Sequence, residues 1–240
     1  MKSKDRICIG IVNDGKINSR LLIDLLHIAT KRAHRFDSIV QVANIGLLTR
    51  SRNVVIKNYL DESDANWILL LDADERIPLE AFDKLVAAAD EKERPVMSGL
   101  VFGAFEEHED RIRPVPLIYR ENELGLQPID DFAIDSIIPV SAAGTGCLLI
   151  HRSVLLTMQE KATPHQGKDW AWFVDGAIDG RWFGEDLLFC KRIESLGYPI
   201  YAHTGAILSH RKEFWLDARH HAPLREAAVQ SNAQANPPGA

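Results

Sequence analysis

The chain has 240 residues, 46% of them hydrophobic and 26% charged, which suits a folded core rather than a disordered or fibrous polypeptide. Its net charge is −6 with Lys and Arg dispersed, apart from a cluster at Lys31, Arg32 and Arg35 that reads as a solvated helix face; nothing in the balance indicates a nucleic-acid binder. The three cysteines, Cys8, Cys147 and Cys190, have no metal-ligand spacing, and no apolar run reaches the roughly 18 residues of a membrane span, so a soluble, cytoplasmic protein with buried thiols is expected.

Residues 7–12 form an apolar, β-branched run, the pattern of a strand buried on both faces. Residues 18–34 carry Leu21, Leu22, Leu25, Leu26 and Ile28 at helical spacing, with Asn18 or Ser19 as the cap. A second strand is expected at 38–43, a helix at 51–60, a third strand at 67–71, a helix at 78–89 and a fourth strand at 95–102. Strands alternating with helices imply an α/β fold with a mostly parallel central sheet and helices on both faces. The second half is less regular. Residues 103–140 read as loop-rich, with Pro114, Pro116, Pro128 and Pro139 and an acidic stretch over 106–110. A strand follows at 144–151, entered through Gly144-Thr145-Gly146. Then come an aromatic loop at 164–184, a helix at 185–196, and short strands at 199–203 and 206–210 around Thr204-Gly205. One domain is expected over 1–220, with 221–240 a mobile tail rich in Ala, Gln, Asn and Pro.

Three groups of residues carry chemistry. The apolar strand at 67–71 runs straight into Asp72-Ala73-Asp74, and in open α/β sheets ligands bind beyond the carboxyl ends of the strands. Carboxylates two apart on an extended segment point the same way, so Asp72 and Asp74 are expected to meet one hard divalent ion; the alternative is a surface turn in which Asp74 caps the next helix. Glu185 and Asp186 open a helix, where they either serve as capping charge or take a proton from an attacking hydroxyl. Trp170, Trp172, Phe173, Trp182 and Phe183 gather just before them, a clustering that suits a platform for sugar faces. His210 ends a short strand; it is a structural histidine unless the fold brings it to Asp74, where it would complete a metal site. Arg50, Arg52 and Asn53 stand at the start of the second helix, where arginine either clamps phosphate or base or is simply exposed.

In this order, Asn13-Asp14, Arg52-Asn53, Asp72-Ala73-Asp74, Gly144-Thr145-Gly146, Gly184-Glu185-Asp186, Gly197-Tyr198 and His210 resemble a GT-A fold glycosyltransferase of the family 2 type. The likeness spans roughly residues 7–211 and extends to the short, stand-alone glycosyltransferases of tailed bacteriophages. It implies a single GT-A, Rossmann-like domain with a nucleotide-binding half over about 1–103 and an acceptor half, with a small second sheet, over about 104–220. The implied cofactor is Mn²⁺ or Mg²⁺, held by Asp72, Asp74 and His210 against a nucleotide-diphosphate sugar, with a UDP-sugar favoured. Asn13, Asp14, Arg52, Asp72 and Ala73 would contact the nucleotide; Gly146, Trp182 and Phe183 would face sugar and acceptor. Asp186, with Glu185 beside it, would be the general base, implying inversion at the anomeric carbon. The implied acceptor is a glycan, a protein or a modified base of phage DNA. The first strand lacks the family's usual proline or second threonine. No QxxRW motif follows Asp186 and no membrane helices follow the domain, unlike processive polysaccharide synthases.

Two other readings compete. A Mg²⁺-dependent nucleotidyltransferase would show a glycine- and lysine-rich loop after its first strand, where Asn13-Asp14-Gly15-Lys16 offers only one of each. A non-catalytic carbohydrate-binding protein would leave Asp72, Asp74 and Asp186 far apart.

Overall fold

The computed structural model describes residues 5–43, 46–107, 111–161, 171–178 and 180–213. The first half alternates as its hydrophobic periodicity predicts: β1 (Ile7–Asn13), α1 (Ser19–Lys31), β2 (Phe36–Ala43), α2 (Leu48–Glu62), β3 (Trp67–Asp72), the short β4 (Glu75–Arg76), α3 (Leu79–Ala88) and β5 (Val96–Leu100). Asn18 caps α1, its side chain accepting from the Arg20 N–H at 3.0 Å. The helix at α2 starts earlier than its apolar residues suggest, so Arg52 and Asn53 lie inside it and both are buried.

The stretch 103–140, expected to be loop, is strand-rich. It holds β6 (Phe102–Glu107), β7 (Arg111–Pro116), β8 (Ile118–Asn122), β9 (Gly125–Pro128) and β10 (Ile137–Val140), followed by β11 (Ala142–Ala143). Apart from β10, these form hairpins and small sheets, β6 with β7 and β11 with β8 and β9. Short edge strands tolerate prolines that would break a central one, which is why composition read as loop. Then follow β12 (Cys147–His151), α4 (Arg152–Lys161), β13 (Gly176–Ile178), β14 (Arg181–Phe183), α5 (Glu185–Ser195), β15 (Ile200–Ile207) and β16 (Ser209–His210). The sequence pattern did not point to α4. The two short strands expected around Thr204-Gly205 are largely one, because Thr204 continues the ladder and its hydroxyl bonds Ala133 and Ser136. Trp170, residues 108–110 at the end of the acidic stretch and the 221–240 tail lie outside the described residues.

The central sheet has seven strands in the order β10-β15-β5-β12-β3-β1-β2. Pairings are parallel for β2–β1–β3 and for β15–β5, whereas β12 runs antiparallel to both β3 and β5, and β10 antiparallel to β15. The parallel expectation therefore describes β2, β1 and β3 and is interrupted by β12. The cause is local. The chain reaches β12 already at the carboxyl edge of β3, where the Gly146 carbonyl accepts from the Asp72 N–H at 3.2 Å, so it can only descend.

Alternating residues bury opposite faces. Ile7, Ile9, Ile11, Leu69 and Leu71 pack against α1 and α3; Cys8, Ile68 and Leu70 pack against the side of α2, α4 and α5. All three cysteines are free and buried. Among the described residues no helix is long and apolar enough to cross a membrane.

Candidate functional site

Site residues gather at the carboxyl edge of β1 and β3. Asn13 and Asp14 leave β1, where Val12 is in register with Asp72. The Asn13 side chain accepts from the Gly15 N–H at 2.8 Å, and the Asn18 N–H reaches the Ala73 carbonyl at 3.2 Å, tying this turn to the Asp-Ala-Asp segment. A cleft of about 550 Å³ opens here, lined by Asn13, Asp14, Asp72, Ala73 and Asp74 together with Lys16 and Lys212. Five residues expected from the sequence thus share one wall.

Asp72 and Asp74 do not point the same way, against the expectation. The strand ends at Asp72 and residues 73–74 form a turn, so period-two alternation stops there. Asp74 faces β16, its Oδ2 lying 3.0 Å from His210 Nε2. Across the ring, His210 Nδ1 lies 2.9 Å from the Phe102 carbonyl oxygen and 3.4 Å from Glu75 Oε1. Asp74 and His210, 136 residues apart, therefore meet, and the antiparallel β4–β16 pairing adds Glu75 directly opposite His210. The hydrogen bond with His210 holds the Asp74 carboxyl below its ordinary range. Burial disfavours charge on His210, but the bond to Asp74 and the nearness of Glu75 outweigh it and raise its pKa. Burial pushes Glu75 up to about 8; His210 opposes that rise while Asp74 and Asp72 add to it.

Asp72 turns instead toward α2. Arg52 Nη2 lies 3.3 Å from both of its oxygens, while Nη1 bonds Glu185 at 2.6 Å and also Asp186. The Arg52 side chain is only 4% exposed. It is not among the residues that line the cleft, and its guanidinium is occupied by three carboxylates rather than by the base and ribose expected from the sequence. Burial raises the pKa of Asp72 against the pull of Arg52, and burial together with Asp186 raises that of Glu185. Asp186 also accepts from the Thr145 hydroxyl at 2.8 Å and from the Thr145 N–H at 3.3 Å. Gly146 lies against the acidic centre: a Cβ built there would stand 3.1 Å from Glu75 Oε1 and 3.4 Å from Asp72 Oδ2.

The aromatic cluster divides. Trp172 and Phe173 are core residues, Trp172 donating to the Leu155 carbonyl at 2.9 Å and Phe173 stacked on Phe189 at 4.1 Å. They are not part of a platform, because α4, which the sequence pattern did not show, covers Trp172, while Phe173 lies between Phe189 of α5 and Arg52 and Asn53 of α2. Trp182, 74% exposed on the β13–β14 hairpin, and half-buried Phe183 remain at the surface beside Glu185. Arg50 is exposed. Asn53 bonds the backbone of Phe173 in both directions, at 2.7 and 2.9 Å. Glu75 and Lys212 were given no role by the sequence pattern, and Thr145 and Lys16 entered only as members of Gly144-Thr145-Gly146 and Asn13-Asp14-Gly15-Lys16. Glu75 next to Asp74, and Lys212 two residues after His210, were the available signals.

A divalent cation fits the donor set. Carboxylate oxygens and an imidazole nitrogen of Asp74, Glu75 and His210 lie within 4.8 Å of one another, and hard oxygens with one nitrogen suit Mn²⁺ or Mg²⁺.

No protein-family model matches the sequence, and no curated protein matches it. Solved structures share its fold. A197 from STIV superposes with a TM-score of 0.51 at 19% identity, over 90% of this chain and 99% of that one. GalNAc-T7, solved with UDP, GalNAc and Mn²⁺, superposes with a TM-score of 0.51 at 13% identity, over 98% of this chain and 52% of that one. The chain thus spans about half the length of GalNAc-T7. The fold is α/β of the GT-A, Rossmann-like type.

Proposed function

We propose that the chain is a metal-dependent glycosyltransferase of the family 2 type, which moves a sugar from a nucleotide-diphosphate sugar to an acceptor hydroxyl with inversion. The observation that carries this is the meeting of Asp74, which lines the cleft, with His210, together with the Arg52 link from Asp72 of the same cleft to Asp186. UDP is the favoured carrier, since GalNAc-T7 shares the fold and was solved with UDP and Mn²⁺. A glycan, a protein or a modified DNA base serves as acceptor.

Asn13 and Asp14 flank the cleft where base and ribose would lie, and Lys16 and Lys212 bring positive charge toward the diphosphate. Asp74 and His210 would hold the divalent ion, which when bound neutralises charge on the departing diphosphate. On the acceptor side, exposed Trp182 offers an apolar plane to a sugar ring. Asp186 takes the proton of the attacking hydroxyl. The new bond forms from that oxygen to the anomeric carbon as the bond to the phosphate oxygen breaks, its electron pair leaving with the nucleoside diphosphate. Thr145 and Arg52 hold the Asp186 carboxyl in place for this step.

The test is a thermal-shift screen of UDP, GDP, CMP and dTDP, each with and without Mn²⁺. A shift with UDP that requires Mn²⁺ and is lost in Asp74→Ala is the expected result. An Asp186→Asn protein should keep that shift while losing at least about a hundredfold in transfer rate. If no nucleotide raises the melting temperature under any condition, the transferase reading falls.

A further inference from the structure

The Asp-Ala-Asp segment invites the assumption that its two aspartates share the metal. The side chains divide otherwise. Asp72 is bonded through both oxygens to Arg52, whose guanidinium also holds Glu185 and Asp186. Glu75 is in the opposite condition. It is 1% exposed, and among the described residues neither of its oxygens receives a hydrogen bond. A buried carboxylate without donors is costly, and such groups are found paired, protonated or on a metal. Its near neighbour is His210, which β4–β16 pairing sets opposite it.

We propose that Asp74, Glu75 and His210 are the protein ligands of the divalent ion and that Asp72 stands outside the set, held by Arg52. The inference rests on the metal-dependent reading above and assigns its ligands. Geometry supports it beyond the mere clustering of acids. The three ligand atoms lie within 4.8 Å of one another. Donors on opposite sides of an ion with bonds of about 2.1 Å stand about 4.2 Å apart, so closure by roughly half an ångström completes the set. His210 is already oriented to serve as a ligand: Nδ1–H donates to the Phe102 carbonyl, and Nε2, whose proton the Asp74 carboxylate accepts, faces Asp74 and would give up that proton to an ion bound between them. Gly146 keeps the adjoining space free of side-chain atoms, since a Cβ there would press on Glu75 Oε1.

The experiment is Mn²⁺ binding to the full chain, read by electron paramagnetic resonance of the free ion in the presence of saturating UDP. Glu75→Gln preserves shape and burial but removes the anionic donor. It is expected to weaken Mn²⁺ binding at least about tenfold, whereas Asp72→Asn stays within about threefold of wild type. Equal Mn²⁺ affinity of Glu75→Gln and wild type, or a tenfold loss in Asp72→Asn alone, would overturn the assignment while leaving the metal-dependent transferase standing. Wild-type protein that takes up no Mn²⁺ at all would overturn both. Should Glu75→Gln not fold, Glu75→Asp keeps the charge, shortens the reach by one methylene, and carries the same expectation.

Discussion

At the scale of single residues, Arg52 has the largest electrostatic consequence. One buried guanidinium balances Asp72 at the end of β3 and Glu185 and Asp186 at the start of α5. Breaking a buried ion pair from one side leaves uncompensated charge, a loss of about 3–5 kcal/mol. Arg52→Gln is therefore expected to lower the melting temperature by roughly 10 °C, at about 2–4 °C per kcal/mol for a chain of this size. The double variant Arg52→Gln/Asp186→Asn should recover part of that fall in the same melting experiment, because one of the orphaned charges is gone. Equal melting temperatures for the single and double variants would show that the arginine stabilises by packing alone. The sequence identified Arg52 as important but gave it a nucleotide to bind. Its partners 133 and 134 residues away were not inferable from its neighbours.

At the scale of elements, α2 organises the site, and it can do so because β1 lets it come close. A Cβ on Gly10 would stand 2.5 Å from Val55 Cγ1 on α2, and 3.1 Å from both Ile68 and Leu70. Gly10→Ala is expected to cost about 1–3 kcal/mol through overpacking, seen as a lower urea midpoint. The same shift moves Arg52, so the variant should lose transfer activity beyond what its stability explains; unchanged activity would argue that α2 has slack on β1. Helices and strands of the first half were legible because each is long and periodic, with apolar residues at spacing 3.6 or buried in unbroken runs. The hairpins of 103–140 were not, since short, proline-bearing edge strands have no periodicity distinct from loop. Misreading that stretch did not affect the site, but missing α4 did. Without α4 as cover, Trp172 looked like a surface aromatic.

At the scale of the whole molecule, the cleft faces a charge problem. The chain carries −6 overall, and Asp14, Asp72, Asp74 and Glu213 line the cavity that is proposed to take a diphosphate, against Lys16, Arg211 and Lys212. Binding of UDP without a divalent ion is expected to be weak and to strengthen modestly between about 0.05 and 0.5 M salt, where screening of the like-charge repulsion shortens from above 10 Å to below 8 Å. With Mn²⁺ present the dependence should be shallower, as calorimetric titration at two salt concentrations would reveal; an identical slope with and without metal would argue against an ion between protein and diphosphate. What the sequence by itself determined is local: where apolar runs end, hence that Asn13 and Asp72 stand at one sheet edge, and that Glu185 and Asp186 open a helix. Hydrophobic periodicity acts over a few residues and writes those endings directly. Only the tertiary structure decided which charges meet. Strand order brings Asp74 to His210 and Arg52 to Asp186, and a turn of two residues after β3 sends Asp72 and Asp74 to different partners. Such choices depend on the packing of every intervening element, because a side chain's reach of a few ångströms is positioned by backbone laid down more than a hundred residues away.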